Sequence, residues 1–186
     1  MTGRPRDFNR TRLIVADDLA EGRFVEATAE QRNYLINVLR LGGGDEIALF
    51  NGRDGEWIAN LEVVGKRQLI LKVGNRHRAQ AGGPDLWYLF SPLKHARLDY
   101  MVQKATELGV AVLQPVLTRF TQAERTNLDR MAANVREAAQ QCGILRIPEV
   151  RPPLRLDICL DHFPEARRLI FCDEAATGSP LAPEQF

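Results

Sequence analysis

No stretch of these 186 residues approaches the roughly 20 consecutive apolar side chains that a membrane-spanning helix needs, so a membrane partner is not expected. Cysteine is scarce. Cys142, Cys159 and Cys172 lie far apart and are odd in number, with neither zinc spacing nor the pattern of a disulfide framework. That points to a reducing, cytoplasmic setting and away from a metal site. His77, His95 and His162 are equally scattered. The first ten residues have no apolar signal core. Net charge is only +1, so any contact with a polyanion has to come from local clusters. Phosphate-binding Gly-x-x-x-x-Gly-Lys-Ser/Thr loops and Gly-x-Gly-x-x-Gly turns after a strand are absent, and no Ser-His-Asp or Cys-His arrangement is legible. These absences argue against a nucleotide hydrolase and a dinucleotide enzyme.

What is present is a change of periodicity near the middle of the chain. Residues 1–75 read as a small β-rich barrel domain. Leu13-Ile14-Val15, Phe24-Val25, Glu46–Phe50, Glu56–Val64 and Gln68–Val73 are rich in strand formers. Asn51-Gly52 and Asp54-Gly55 signal a hairpin. Thr28-Ala-Glu-Gln31 is a capping box that opens one helix, with Tyr34, Leu35, Val38 and Leu39 as its apolar face and Gly42-Gly43-Gly44 as its stop. Residues 76–85 are a polar linker across which few contacts are expected. Residues 86–186 alternate strands and helices, which predicts a mostly parallel sheet. The expected elements are strands at 86–90, 111–117 and 168–172, long helices at 94–108 and from Thr126-Asn-Leu-Asp129 onward, and a short helix near 154–162.

The helix at 94–108 carries unusual polar positions. Leu98, Met101, Val102, Ala105 and Leu108 repeat at helical spacing, and Gly109 stands where a C-terminal glycine belongs. Lys94 and Arg97 flank the helix start, where cations oppose the dipole unless an anion sits nearby. Arg97 and Lys104, seven residues apart, share a face. Glu107 can pair with Lys104 across one turn.

Lys94-x-x-Arg97-x-Asp99-x-x-Val102-Gln-Lys-Ala-Thr-Glu-Leu-Gly109 resembles the signature of the 16S ribosomal RNA uridine-N3 methyltransferases, a family of the SPOUT superfamily. Glu137-Ala-Ala-Gln-Gln-Cys-Gly143 with Pro148-Glu149-Val150, and Val38-Leu39-Arg40 with Phe50-Asn51-Gly52, are similar to two further blocks in family order. The resemblance implies an α+β two-domain fold. It consists of an amino-terminal PUA-like β-barrel that binds RNA, then a knotted α/β SPOUT domain on a mostly parallel sheet. It implies S-adenosylmethionine as cofactor, methyl transfer to N3 of a uridine, 16S ribosomal RNA or the small subunit as partner, and a homodimer. The RNA-contact candidates are Arg10, Arg12, Arg40, Lys94, Arg97, Lys104, Arg119 and Arg146. For Arg40 a cation matching its helix dipole explains the residue equally well. Phe171, Cys172, Asp173 and Glu174, at the carboxyl end of the last expected strand, are candidates for the cofactor pocket. No catalytic base is legible.

Two family features, a Gly-Pro-Glu-Gly-Gly loop and a late Leu-Gly-x-x-Ile-Leu-Arg block, do not occur in these residues. The α/β domain is accordingly expected to be about half present, and the 186 residues alone are expected to be inactive. A non-catalytic RNA-binding or ribosome-assembly module with a partial α/β domain is the alternative.

Overall fold

The computed structural model describes residues 10–64, 68–121, 126–173 and 175, with backbone only at Val64 and His95. The amino-terminal half is a five-stranded sheet. Its strands are β1 (Arg12–Ile14), β2 (Phe24–Glu26), β3 (Glu46–Phe50), β4 (Glu56–Val64) and β5 (Gln68–Arg78), in spatial order β1-β3-β4-β5-β2. β1 runs parallel to β3 and the other pairs are antiparallel. The alternating apolar positions Ile47, Leu49, Ala59, Leu61, Leu69, Leu71 and Val73 face one core, with Leu13, Val25 and Leu35.

The β3–β4 hairpin forms where its turn signal predicts, and a buried asparagine builds the turn. Asn51 Oδ1 accepts from the amides of Arg53 (3.0 Å) and Asp54 (2.9 Å), while its Nδ2 donates to Asp54 Oδ2 at 2.6 Å. Asp54 Oδ2 also accepts from the Leu19 amide, and these two bonds hold the carboxyl below the usual aspartate range.

The predicted capping box is formed, but it opens only one α-helical turn, α1 (Ala29–Arg32). The chain then continues as a π-helix, Asn33–Val38. The Leu39 amide reaches back five residues to Tyr34, and this wider turn rotates the apolar stripe. Leu35 is buried, with Ile36 and Leu39 packed beside it. Tyr34 and Val38, expected on the same face, are exposed instead. Arg40 follows with φ +57°, the single described non-glycine residue in the left-handed region. That conformation costs a residue with a Cβ about 1–2 kcal/mol and is normally left to glycine or asparagine.

The second half is a parallel sheet, β6 (Trp87–Phe90), β7 (Val112–Leu117) and β8 (Glu149–Val150), with β9 (Leu154–Arg155) also pairing β7. Helices α2 (His95–Glu107) and α3 (Leu128–Cys142) cover one face, burying Val102, Ala105, Met131 and Val135 against Phe90 and Leu113. Leu108, expected in that stripe, caps α2 and is exposed. Asn127, not Thr126, caps α3 by accepting from the Arg130 amide. Arg130 and Asn134 of α3 hold Asp99 of α2 at 2.5–3.0 Å, pinning the two helices together. The short helix α4 (Leu156–Asp161) follows. None of the described helices is long and apolar enough to cross a membrane.

The strand expected at 168–172 is not formed. A strand exists only in a ladder, and among the described residues 168–172 pairs with none, although β6 and β8 stand at the edges of the sheet. β8 and β9 are two residues each and flanked by prolines, too short for a periodic signal.

Two expectations about the domain boundary need correction. β5 runs three residues past 75, pairing Arg78 with Glu56. Moreover, many contacts cross between the halves, because other segments make them. Ile47–Phe50 is buried at four successive positions, so both faces of β3 are covered. One face fills the barrel core; on the other, Phe50 packs against Ala139 and Leu145, with Ile14 and Ile147 alongside. At the rim a Cβ on Gly52 would meet Ile147 at 3.0 Å.

Charge completes the joint. Arg12 Nε donates to Glu56 Oε2 at 2.6 Å. Its Nη atoms donate to the carbonyls of Ala139 (2.7 Å), Gln140 (2.8 Å) and Ile144 (3.2 Å). The guanidinium lies 4.2 Å over the Phe50 ring. Arg78 lies 3.5 Å from the other Glu56 oxygen and donates to the Gly143 carbonyl at 3.0 Å. The last carbonyls of an α-helix lack intrahelical partners and carry its negative dipole end. Here two arginines of the barrel supply the missing donors to α3. Burial lowers the Arg12 pKa, with Glu56 acting against it, and a guanidinium stays charged throughout.

Candidate functional site

The carboxyl ends of β6 and β7 open into a cleft of about 720 Å³ lined by Ser91, Pro92, Leu93, Lys94, Ala96, Arg97 and Phe120. This is where parallel α/β sheets place ligands, because the loops there are free of the ladder. The two loops are tied together. Thr118 and Thr121 close a turn, with the Thr121 amide donating to the Thr118 carbonyl and the Thr118 amide to Thr121 Oγ1 at 2.8 Å. Ser91 Oγ lies 2.9 Å from the same Thr121 hydroxyl. Arg119 and Phe120 therefore stand at the tip of an anchored turn, with the Arg119 guanidinium 5.5 Å from the Phe120 ring centroid.

Lys94 is the N-cap of α2, and its side chain makes no capping bond. The first turn of α2 contains no acidic residue. Lys94 and Arg97 are both exposed, and neither pairs with a carboxylate among the described residues. Each cation at a helix start is unfavourable by about 0.3–1 kcal/mol without a compensating anion. The arrangement is thus poised for one: two exposed positive charges and the positive end of a helix around an open cleft.

The other candidates from the sequence scatter. Lys94 and Arg97 line the cleft, and Arg119 lies beside it through its contact with Phe120. Lys104 lies on α2 but is engaged by Glu107, at 2.8 and 3.0 Å, which raises its pKa. Arg10 is half-buried and 3.5 Å from Glu46. Arg40 is exposed at the end of the π-helix. Arg12 is not on an RNA-accessible surface: its side chain is 10% exposed and fills the domain joint. Arg146 is half-exposed and engaged by the linker, donating to the carbonyls of Gly83 and Pro84 at 3.2 Å each. Arg167 clamps the linker's other end through Asp85, whose pKa it lowers, and stacks 4.1 Å from the Trp87 ring.

Phe171, Cys172 and Asp173 lie exposed on irregular backbone, with Phe171 80% exposed, and they form no cradle for a nucleoside. Glu174 lies outside the described residues. Glu56, Arg78 and Phe120 were not singled out by sequence. Nothing local marks a buried carboxylate in a strand, whereas the Arg119-Phe120 pair after a strand was a usable signal.

Residues 82–184 match the model of an RNA methyltransferase domain, and residues 27–74 that of an RNA methyltransferase PUA domain. The chain is 28% identical over 146 residues to a ribosomal RNA small subunit methyltransferase E of Rickettsia conorii, covering 78% of this chain and 60% of that protein. To the protein of the same name from Synechocystis it is 32% identical, covering 77% and 48%. The chain thus spans about half to three-fifths of the length of these curated relatives. A crystal structure of ribosomal RNA small subunit methyltransferase E from Neisseria gonorrhoeae bound to S-adenosyl methionine superposes with TM-score 0.75 at 26% identity, over 84% of this chain and 67% of that one. A methyltransferase from Legionella pneumophila in complex with the same cofactor gives 0.74 at 27%, over 83% and 66%.

Proposed function

Because the chain belongs to the RNA methyltransferase family, whose domain model spans more than half of it, we propose that it serves S-adenosylmethionine-dependent methylation of small-subunit ribosomal RNA, at N3 of a uridine. The observation that carries the reading is the cleft at the carboxyl ends of β6 and β7, with Lys94 and Arg97 beside it and no carboxylate pairing either. In this reading RNA phosphates take the place of the missing anions. The relatives named for small-subunit methylation support the substrate, and the uridine N3 position rests on the resemblance of the Lys94–Gly109 block. The same resemblance supports a homodimer acting on the small subunit in the cytoplasm.

S-adenosylmethionine would supply an activated methyl group on a sulfonium. The exposed Phe171, Cys172 and Asp173 do not fit it as they stand, so no step is assigned to them. The part that falls to Lys94 and Arg97 is to fix the RNA backbone so that the target base is held in one orientation.

Two measurements test this. In cells from which the gene is deleted, 16S ribosomal RNA digests should lose one N3-methyluridine, and an unchanged complement would overturn the reading. In solution, Lys94→Ala and Arg97→Ala should each weaken binding of a ribosomal RNA fragment without lowering the melting temperature. Each should also reduce the log–log salt slope by roughly 0.7–0.9, the value for one lost phosphate contact. Equal slopes and affinities for wild type and Arg97→Ala would remove the cleft from the RNA site.

A further inference from the structure

Phe120 is 82% exposed. Leaving a phenylalanine in water forgoes about 1.5–3 kcal/mol of burial, so its position asks for a partner. The ring is not there through looseness. The Thr118–Thr121 turn and the Ser91 hydroxyl hold the loop on both flanks. It lines the same cleft as Lys94 and Arg97, and Arg119 sits against it. None of these three cations pairs with a carboxylate among the described residues. Elsewhere on the described surface Arg53, Arg130 and Arg155 do, whereas the exposed Arg40, Arg76 and Arg136 do not, so what sets the cleft apart is the exposed ring held among its cations.

We propose that Phe120 is a stacking platform for an unpaired RNA base whose flanking phosphates lie on Lys94, Arg97 and Arg119; this rests on the cleft being the RNA site. A flat apolar ring rimmed by unneutralised cations matches a nucleotide in both of its parts, a π-face and a negative backbone. An apolar peptide would bury the ring but leave three positive charges without partners. A duplex would satisfy the charges but keep its bases stacked on one another, out of reach of a single ring. The chemistry therefore selects single-stranded or extruded RNA. It also assigns Phe120 a positioning role: it would hold a base at the mouth of the site without touching a reacting atom.

The test compares Phe120→Ala, Phe120→Trp and wild type for binding of a single-stranded RNA oligonucleotide and of a duplex of the same sequence, each across a salt series. Phe120→Ala should weaken single-strand binding by about 5- to 150-fold, the loss typical of one base–aromatic stack. It should leave the duplex affinity and the salt slope unchanged. Phe120→Trp should retain single-strand binding. Because the ring is exposed, neither variant should shift the thermal midpoint. Equal single-strand affinity for wild type and Phe120→Ala overturns the stacking role, and so does an equal loss for single strand and duplex. Arg97→Ala separates this from failure of the cleft itself. A reduced slope with an inert Phe120 sinks stacking alone, whereas an unchanged slope and affinity sink the RNA site.

Discussion

Replacing Arg12 with methionine should cost about 3–5 kcal/mol of folding stability, the usual result of removing one partner from a buried ion pair. The methionine fills most of the same space over Phe50, so the loss is electrostatic rather than a cavity. Glu56, itself buried, is left with Arg78 alone at 3.5 Å. The carbonyls of Ala139, Gln140 and Ile144 lose their donor at the same time. Urea denaturation should show a lower midpoint, and because the network crosses the domain joint, the two halves should cease to unfold as one transition. The double variant Arg12→Met, Glu56→Leu should recover part of the loss, since an apolar pair carries no stranded charge. A single-variant loss below about 1 kcal/mol, the level of a surface pair, would mean that water enters the joint and screens it.

Gly55→Ala should be at least as damaging. Gly55 sits at φ +88°, and a Cβ there would lie 2.3 Å from the Arg78 carbonyl oxygen and 2.8 Å from the Gln80 amide nitrogen. Both are backbone atoms, so no side chain can swing aside. Either the hairpin opens or the end of β5 moves, and the second choice drags Arg78 away from Glu56 and Gly143. An expected loss above about 3 kcal/mol places this substitution in the tail of point-mutant effects. Failure to accumulate as folded protein, or a thermal midpoint lowered by many degrees, would meet the expectation. The informative control is Gly82→Ala in the linker, where a Cβ meets nothing within 4 Å. Near-wild-type stability for Gly55→Ala would mean that the approach of β5 to this turn is not required by the fold.

The two substitutions mark where local pattern stops being informative. The strands of the first half, the hairpin turn, the Thr28 capping box and the βαβ unit from Trp87 to Leu117 all follow from spacing, because each depends on residues within a few positions of one another. The Lys94–Arg97 edge was legible for the same reason: a helix start can be located in sequence, and a cation there is visibly out of place. The joint between the halves was not. The polar composition of residues 76–85 describes the covalent connection, while the contacts come from β1, β3 and the end of α3, more than 120 residues apart in the chain for Arg12 and Ala139. One clue was present. The unbroken apolar run Ile47-Ala-Leu-Phe50 demands cover on both faces of its strand, although it does not say by what.

Arg12 shows the division most clearly. In sequence it is one of several arginines near the amino terminus, and a cation before an apolar strand fits a surface that holds RNA. Its role is decided by what the fold sets beside it: a carboxylate from β4, an aromatic face from β3 and three carbonyls at the end of α3. The π-helix acts in the same way on a smaller scale, turning Tyr34 and Val38 outward from a stripe that 3.6-residue spacing would bury. Likewise 168–172 has the composition of a strand but pairs with no other described strand. Composition and periodicity by themselves determined the strands of the first half, the βαβ unit from Trp87 to Leu117, the order of the two halves and the basic helix start, because those are settled by near neighbours. Which cations remain available to a ligand, and whether the halves are separate or joined, was decided only in three dimensions, because a charge is neutralised by whatever the fold brings within about 4 Å of it.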